Sequence, residues 1–328
     1  MKAIAQEVYG SADVLSLREM HAPAVGEGEV LVRVHAAGCG PDVWHIMTGK
    51  PYLARLMLGL RKPKIAVRGW DLAGTVEAVG SAVSGFRSGD AVMGISEKGS
   101  FAEFAVTSSD KLVAKPARLT FEQAAAVPIS AVTALQAIRD QAEVRPGQSV
   151  LVIGAGGGVG TFTVQIAKAF GATVTGVCSG SKVDLVRSIG ADQVIDYARE
   201  DFADGSRQWD IIIDTAGRRP LSKLRRALTP KGTVVIVGGD GGGPWTGGFF
   251  RGILRGPLLS MFVGQKLGGL NSKMKQQDLQ SVAELIEAGK VTPVVGKTYP
   301  LAEAADAIRE LEQGHATGKI VVRVIEAS

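Results

Sequence analysis

A run of four apolar residues at 150–153 is followed by seven residues of which five are glycine. A continuous apolar run of this length is typical of a strand covered on both faces of a parallel sheet. The pattern then becomes helical over 159–170, and a second apolar run follows at 173–178. Strand, glycine loop, helix and strand at this spacing predict a βαβ unit.

The rest of the chain shows two kinds of pattern. Residues 1–122 contain short apolar runs separated by glycine turns, which predicts a β-rich region. Thr120 and Gln123 form a capping box that predicts the start of a helix, and Pro128 predicts a break in it. From 150 to 237 buried strands alternate with helices, so we expect a doubly wound parallel sheet and an α/β fold.

The glycine loop after the first buried strand indicates a binding site for an anion. Glycine lets the backbone turn tightly and approach a ligand, and the following helix directs free N–H groups and its positive dipole end toward the same place. A dinucleotide pyrophosphate is the usual occupant. The alternative is a glycine-rich turn that binds nothing. The predicted cofactor-binding residues of the loop are Gly154, Ala155, Gly156, Gly157, Gly158, Val159 and Gly160.

The end of the second strand bears on the choice of cofactor. An NAD-binding domain usually has a carboxylate there for the ribose 2′-hydroxyl. Here Ser179, Ser181 and Lys182 occupy the place, and no carboxylate follows until Asp184. Two hydroxyls and an ammonium can hold a 2′-phosphate, which predicts NADPH. The alternative is that the two serines only cap the next helix.

The amino-acid composition limits the classes of protein to which this chain can belong. The 328 residues are 45% hydrophobic and 21% charged, which fits two globular domains. An anionic cofactor explains the net charge of +5. The sequence has no cluster of basic residues interleaved with aromatic residues, so it does not suggest nucleic-acid binding. No apolar run is long enough for membrane insertion. Cys39 and Cys178 lie in strand-like runs, which predicts buried free thiols and a cytoplasmic protein.

Seven segments in order carry a resemblance to a known family. Together they resemble the medium-chain dehydrogenase/reductase superfamily, and most closely its zinc-free, quinone-oxidoreductase-like branch. The segments are Ala37-Gly38-x-x-Pro41, Gly69-x-Asp71-x-Ala73-Gly74-x-Val76, Gly89-Asp90-x-Val92, Gly157-Gly158-Val159-Gly160, Leu185-x4-Gly190-Ala191-Asp192, Ile195-Asp196-Tyr197 and Gly318-Lys319-Ile320-Val321.

The resemblance implies a domain organisation. It implies a GroES-like catalytic domain at 1–122 and 292–328, interrupted by a Rossmann NADP-binding domain at 123–291, with the active site in the cleft between them. It also implies a homodimer formed by edge strands. The apolar run from Leu258 to Val263 has β character and is the predicted edge strand, which needs covering.

The resemblance also allows a prediction of whether the protein binds a catalytic zinc ion. Zinc-dependent members use a cysteine and a Gly-His-Glu segment, and here the corresponding places are Gly40 and Gly69-Trp70-Asp71. Cys39 is one residue away from the expected position and would face the other side of a strand. A tetrahedral zinc site needs three or four suitable ligands, so we expect no metal.

The substrate and catalytic residues follow from the same likeness. Gly40, Trp44 and His45 are expected to line the substrate pocket, although the family usually has asparagine at the first of these and often tyrosine at the last. His45 could donate a hydrogen bond or a proton, or be a plain surface histidine. Trp44 could instead pack inside the domain. Thr133 resembles a threonine beside the nicotinamide, with helix packing as its alternative.

Three further residues complete the predicted cofactor site. Tyr197 resembles a residue near the phosphates or the adenosine, and Gly238 and Gly239 follow the strand whose end meets the nicotinamide.

A basic and apolar segment, 50–68, precedes the Gly69 motif. It carries six cations around Leu56, Met57 and Leu58. Three interpretations stay open: a lid over a hydrophobic substrate, a membrane contact, or a solvated loop with a few packed leucines.

The expected function is that of an NADPH-dependent, zinc-independent reductase of quinones or α,β-unsaturated carbonyl compounds. Hydride transfer to a conjugated substrate requires mainly orientation and a hydrogen bond to its oxygen. A zinc-free dehydrogenase of another substrate and an NADPH-binding sensor with little turnover are the alternatives.

Overall fold

The computed structural model describes residues 1–238, 245 and 256–325. The strands are β1 Lys2–Ala5, β2 Ser16–Glu19, β3 Glu29–Cys39, β4 Asp71–Val79, β5 Ala91–Ile95, β6 Phe104–Ser108, β7 Leu112–Ala114, β8 Ser149–Ile153, β9 Thr173–Cys178, β10 Gln193–Asp196, β11 Trp209–Asp214, β12 Leu228–Ile236, β13 Lys266–Gly269, β14 Val295–Pro300 and β15 Lys319–Arg323. The α-helices are α1 Pro41–Thr48, α2 Arg55–Leu58, α3 Phe121–Ala125, α4 Pro128–Gln136, α5 Gly158–Ala169, α6 Val183–Ser188, α7 Leu221–Arg226, α8 Gly256–Ser260, α9 Gln276–Glu287 and α10 Ala304–Glu312.

The chain divides into two compact units. Unit 1 comprises Met1–Ser130, Met274–Glu287 and Pro293–Ser328, and unit 2 comprises Ala131–Lys273 and Ala288–Thr292. The chain therefore leaves unit 1 and returns to it, as the resemblance implies. The exact domain boundaries given above stay a prediction.

Unit 1 is built on a seven-stranded sheet. Its strand order is β14-β15-β3-β4-β5-β7, and β6 pairs with β3. Only β14 and β15 run parallel, and the other pairs are antiparallel. The long strand β3 alternates between buried and more exposed positions until residue 36 and is then continuously buried. This change brings the end of β3 into the core, where α1 begins.

The helix signals between residues 120 and 128 are confirmed. The Thr120 hydroxyl accepts a hydrogen bond from the Gln123 backbone N–H at 3.2 Å, and the Gln123 side chain accepts from the Thr120 N–H at 3.0 Å. Helix α3 ends at Ala125, and Pro128 is the first residue of α4. Proline lacks the N–H that a helix interior needs, so it begins a second helix here.

Unit 2 has the parallel sheet that the sequence predicts. Its order is β10-β9-β8-β11-β12-β13, and all five neighbouring pairs are parallel. Strand β8 lies in the centre, and Val150, Leu151 and Val152 are fully buried. The carboxyl end of this central strand is where the glycine loop begins.

One predicted strand is wrong. The run from Leu258 to Val263 is not an edge strand, because α8 occupies its first part and a turn follows. Leu259 and Val263, four residues apart, pack against the core, whereas Leu258, Met261 and Phe262 are exposed. Residues four apart lie on the same face of a helix, and Val263 follows the turn that continues from α8. The edge strand is instead β13, and the Ser260 hydroxyl accepts a hydrogen bond from the Leu267 N–H at 2.8 Å.

The two cysteines are buried and free, as predicted. Burial raises the pKa of the Cys39 thiol to about 12. No helix in the described part of the chain is long and apolar enough to cross a membrane.

Candidate active site

The glycine loop of unit 2 turns directly after the central strand. Gly154 has a φ of +81°, a conformation that side chains with a Cβ rarely adopt, and its N–H donates to the Val177 carbonyl at 3.0 Å. Gly157 is the N-cap residue of α5, so the helix starts at Gly158, one residue before the sequence suggests. The loop therefore ends with the free N–H groups of a twelve-residue helix.

Two glycines of the loop differ in what surrounds them. A Cβ on Gly160 would lie 2.0 Å from the Gly154 carbonyl oxygen, so this glycine is required by packing. A Cβ on Gly157 would meet only the Gly154 oxygen, at 3.5 Å, so the space beside it is open. The open side of Gly157, at a helix N-terminus, leaves room for an anionic group.

The residues predicted to select the cofactor gather beside this loop. The hydroxyl oxygens of Ser179 and Ser181 are 3.1 Å apart. The Lys182 side chain crosses the loop, since a Cβ on Gly156 would lie 2.7 Å from its Cδ. Burial lowers the pKa of Lys182. Ser179 occupies an N-cap position, but its side chain makes no capping hydrogen bond. This weakens the alternative that the two serines only cap the next helix.

A carboxylate that the sequence analysis did not anticipate lies next to these residues. Asp196 ends β10, which pairs with β9 so that Asp196 lies opposite Cys178. A Cβ on Gly180 would lie 2.8 Å from Asp196 Oδ2. The other oxygen, Oδ1, accepts the Ala198 N–H at 3.0 Å, and Arg199 Nε lies 3.6 Å from Oδ2. The parallel register, rather than closeness in sequence, brings this carboxylate to the turn at residues 179–182.

Tyr197 follows Asp196 at the same edge of the sheet. The residue is 49% exposed, and the Arg219 guanidinium carbon lies 6.0 Å from the centroid of its ring. Its N–H donates to the Cys178 carbonyl at 3.2 Å, which holds Tyr197 beside Ser179. An exposed ring next to a cation suits a nucleotide base or phosphate.

The next strands along the sheet complete its carboxyl edge. The Thr215 hydroxyl donates a hydrogen bond to the Ile153 carbonyl at 2.8 Å. A Cβ on Gly238 would lie 2.4 Å from the backbone carbonyl oxygen of Thr215. Asp214 Oδ1 accepts the N–H groups of residues 216 and 217, and burial raises the pKa of this carboxyl. Gly238 thus lies on the same edge as the glycine loop. Gly239 lies outside the described residues.

Thr133, on α4, has a hydrogen-bond partner within unit 2. Its hydroxyl donates to Ser272 Oγ at 3.3 Å, and Ser272 in turn donates to Gln136 Oε1 at 2.9 Å. This arrangement fits the helix-packing alternative, and a role beside a nicotinamide stays a prediction.

In unit 1 the predicted pocket residues surround the start of α1. Gly40 is the N-cap residue of this helix and is buried. The Trp44 indole N–H donates to Glu312 Oε1 at 2.7 Å, and its ring packs against the core of unit 1. His45 Nδ1 lies 2.9 Å from the Lys50 carbonyl oxygen. A carbonyl only accepts, so Nδ1 carries the proton, and a neutral His45 presents Nε2 as an acceptor. His45 can therefore donate from Nε2 only when it is positively charged.

A buried ionic cluster lies beneath Gly40. Lys319 Nζ is 2.8 Å from Asp71 Oδ2, and both side chains are almost completely buried. Asp71 Oδ1 also accepts the Ile129 N–H at 2.9 Å. A Cβ on Gly40 would meet Lys319 Nζ at 2.9 Å and Asp42 Oδ1 at 2.5 Å. The asparagine that the family usually has at this position would displace both side chains.

The charges in this cluster depend on each other. Burial raises the pKa of Asp42 to about 6, and the Lys319 ammonium opposes that rise. Burial disfavours the charge on Lys319, but the carboxylates of Asp71 and Asp42 outweigh it and raise the pKa of the ammonium. Lys319 therefore stays charged at neutral pH, held between two carboxylates from distant parts of the sequence.

Two family models match the chain. One, described as the alcohol dehydrogenase GroES-like domain, matches residues 26–117, and the other, described as zinc-binding dehydrogenase, matches residues 189–322. The 2-methylene-furan-3-one reductase of Solanum lycopersicum is 34% identical, with 99% of this chain and 79% of that protein covered. The chain belongs to the medium-chain dehydrogenase/reductase superfamily. Its resemblance to the quinone-oxidoreductase-like branch is confirmed.

Solved structures agree with this assignment. The quinone oxidoreductase from Coxiella burnetii has a TM-score of 0.86 and 31% identity, with 99% of both chains covered. The quinone oxidoreductase of Escherichia coli in complex with NADPH has a TM-score of 0.84 and 26% identity, with 99% of this chain and all of that chain covered. The protein is thus an oxidoreductase of this family that uses a nicotinamide cofactor.

Proposed function

We propose that this member of the family is an NADPH-dependent reductase of quinones and α,β-unsaturated carbonyl compounds that works without zinc. The observation that carries the proposal is the open side of Gly157 at the start of α5, with Ser179, Ser181 and Lys182 grouped beside the same loop. The names of the similar proteins, a furanone reductase and two quinone oxidoreductases, support the substrate class.

The chain's own residues have defined tasks in this proposal. The backbone of residues 154–160 would hold the pyrophosphate, and Ser179, Ser181 and Lys182 would hold the 2′-phosphate. The bound nicotinamide supplies the hydride. A charged His45 would donate a hydrogen bond from Nε2 to the substrate oxygen, since its Nδ1 proton is already used by the Lys50 carbonyl.

The donor set in unit 1 supports a zinc-independent reaction. Among the described residues, no three histidine, cysteine, aspartate or glutamate side chains cluster as zinc ligands would. Cys39 is buried in the hydrophobic core of unit 1. Gly40 and Trp70 supply no ligand atoms.

Lys182→Glu tests the choice of cofactor. We expect the NADPH Kd to rise at least tenfold, about 1.4 kcal/mol, because a carboxylate would replace the cation that faces the 2′-phosphate. The NADH Kd should change less than twofold. Fluorescence titration of the reduced cofactor measures both constants.

Lys231→Glu is the matched control for that variant. It makes the same change of charge at an exposed position of β12 in unit 2, and should leave both affinities unchanged.

Asp196 favours the competing candidate, an NADH-dependent enzyme, because a carboxylate near the turn can accept a hydrogen bond from a ribose hydroxyl. Equal losses of NADPH and NADH affinity in the Lys182 variant would support that candidate.

A homodimer stays a prediction, but its surface needs to be redefined. The exposed apolar residues Leu258, Met261 and Phe262, together with β13, the last strand of the sheet within the described residues, now mark the candidate face of unit 2.

A further inference from the structure

Unit 1 contains a cavity that no step described above uses. Its volume is about 150 Å³, and its wall is formed by α1, α2 and the segment 63–70, with Glu97. Val43 and Ile46 of α1, Leu58 of α2 and Trp70 give it a mainly apolar lining. Apolar cavities of roughly this size bind single-ring molecules such as benzene. A six-membered ring therefore fits in this cavity.

One charged group in this wall is unusual. Arg68 is only 2% exposed, yet within the described residues no carboxylate lies within ion-pair distance of its guanidinium. Its Nε donates to the Ala66 carbonyl at 3.4 Å, and its Nη2 donates to the Ile65 carbonyl. Burial lowers the pKa of Arg68 to about 10. A buried guanidinium that has only two carbonyl partners keeps donor capacity for a further oxygen.

The outer wall of the cavity exposes apolar surface. Met57 is 81% exposed and Ile65 is 41% exposed, and both also line the cavity. Of the three interpretations of segment 50–68, the one with packed leucines fits poorly, because Leu56 is 65% exposed. Flexible methionine side chains adapt to ligands of different shape. An apolar wall of this kind would be partly covered when a ligand fills the cavity.

We propose that this cavity binds the ring of a small cyclic carbonyl compound, a quinone or a cyclic enone, and that Arg68 donates a hydrogen bond to a ring oxygen. The inference rests on the proposed function and narrows its substrate class from conjugated carbonyl compounds in general to those built on one ring. An apolar ring matches the lining, and an oxygen acceptor matches the buried guanidinium of Arg68.

A binding experiment without cofactor tests the site directly. Cyclohexanone has the ring and the oxygen but no conjugated double bond, so it binds without being reduced as an enone. Trp70 lines the cavity, so its fluorescence reports occupancy, and Trp70→Phe identifies its share of the signal. We expect saturable binding of cyclohexanone and at least fivefold weaker binding of benzene, which has no oxygen. Equal affinities would overturn the role of Arg68.

Two substitutions on the same short helix give a matched pair. Leu58→Phe fills the cavity, whereas Leu56→Phe adds the same atoms at an exposed position that does not line it. We expect the first to raise the cyclohexanone Kd at least tenfold and the second to change it less than twofold. If Leu58→Phe lowers the melting temperature much more than Leu56→Phe, then Ile46→Phe serves as the filling variant. Unchanged affinity in both filling variants would refute the site.

Different outcomes distinguish failure of the ring-binding site from failure of the proposed reductase activity. NADPH oxidation by 9,10-phenanthrenequinone, with no cyclohexanone binding, would overturn this inference and leave the reductase activity standing. Saturable cyclohexanone binding that Leu58→Phe abolishes, with no NADPH oxidation by any quinone or enone, would support the ring site and overturn the reductase.

Discussion

Replacing Lys319 by methionine should lower the free energy of unfolding by about 3–5 kcal/mol, because it leaves the buried carboxylate of Asp71 without its counter-charge. The ion pair is 2.8 Å long and almost fully buried, so water cannot take over the role of the ammonium. Asp42, whose pKa burial already raises to about 6, would lose the same stabilising neighbour. Urea denaturation followed by circular dichroism measures the change.

The pH dependence of this loss has a definite sign. Without the ammonium, the pKa of Asp42 in the folded protein should rise further above its value in the unfolded chain. The folded state then binds more protons than the unfolded state, so stability falls as pH rises through the folded pKa of this carboxyl. The deficit of Lys319→Met should therefore be larger at pH 8 than at pH 5.

Two controls separate this explanation from a general loss of packing. Lys98→Met removes an exposed lysine that pairs with Glu29 at 2.6 Å, and it should change stability little. Adding Asp71→Asn to Lys319→Met removes the stranded charge and should recover part of the loss. A double variant no more stable than the single one would contradict the buried-charge explanation.

Gly157→Ala should weaken dinucleotide binding at least tenfold, about 1.4 kcal/mol, while leaving the fold intact. The backbone at Gly157, with φ −94° and ψ 179°, is one that alanine adopts readily. The added Cβ would meet only the Gly154 oxygen at 3.5 Å and would project into the space assigned to the pyrophosphate. Isothermal titration with NADPH and a thermal melt measure the two effects.

Two other glycines provide the comparison. Gly160→Ala should lower the melting temperature, because its Cβ would lie 2.0 Å from the Gly154 oxygen. Gly28→Ala, at a position with nothing within 4 Å, should change neither stability nor binding. If Gly157→Ala bound NADPH as tightly as the wild type, the pyrophosphate would not lie at this loop.

Local sequence signals predicted the features that depend on neighbouring residues. The strand before the glycine loop, the helix after it and the capping box at Thr120 are encoded within a few residues, and the structure has all three. The parallel order of unit 2 follows from alternating apolar strands and helices, since parallel strands need a crossover.

Features that depend on distant residues were missed for a physical reason. Asp71 and Lys319 meet because β15, β3 and β4 are neighbours in the sheet, which no local pattern shows. A signal was nonetheless present, because Lys319 directly precedes a buried run of three apolar residues, and a charge there requires a partner. In the same way, the register of β9 and β10 places Asp196 opposite Cys178, next to the turn at residues 179–182.

The segment that begins at Leu258 shows a different limit. Five apolar residues among six fit a strand and a short helix equally well, and only packing decides between them. Leu259 and Val263 reach the core from one side of a helical turn, which leaves the other apolar residues exposed.

The most direct test of the proposed NADPH-dependent reductase activity is to titrate the metal-free protein with NADPH and NADH, and then to add a quinone and an enone separately while following the absorbance of the reduced cofactor. We expect tighter binding of NADPH than of NADH, and oxidation of bound NADPH by at least one of the two substrates without added zinc. Tight NADPH binding with no oxidation by either compound would contradict the reductase and favour a sensor. Turnover that requires added zinc would contradict the zinc-independent reaction.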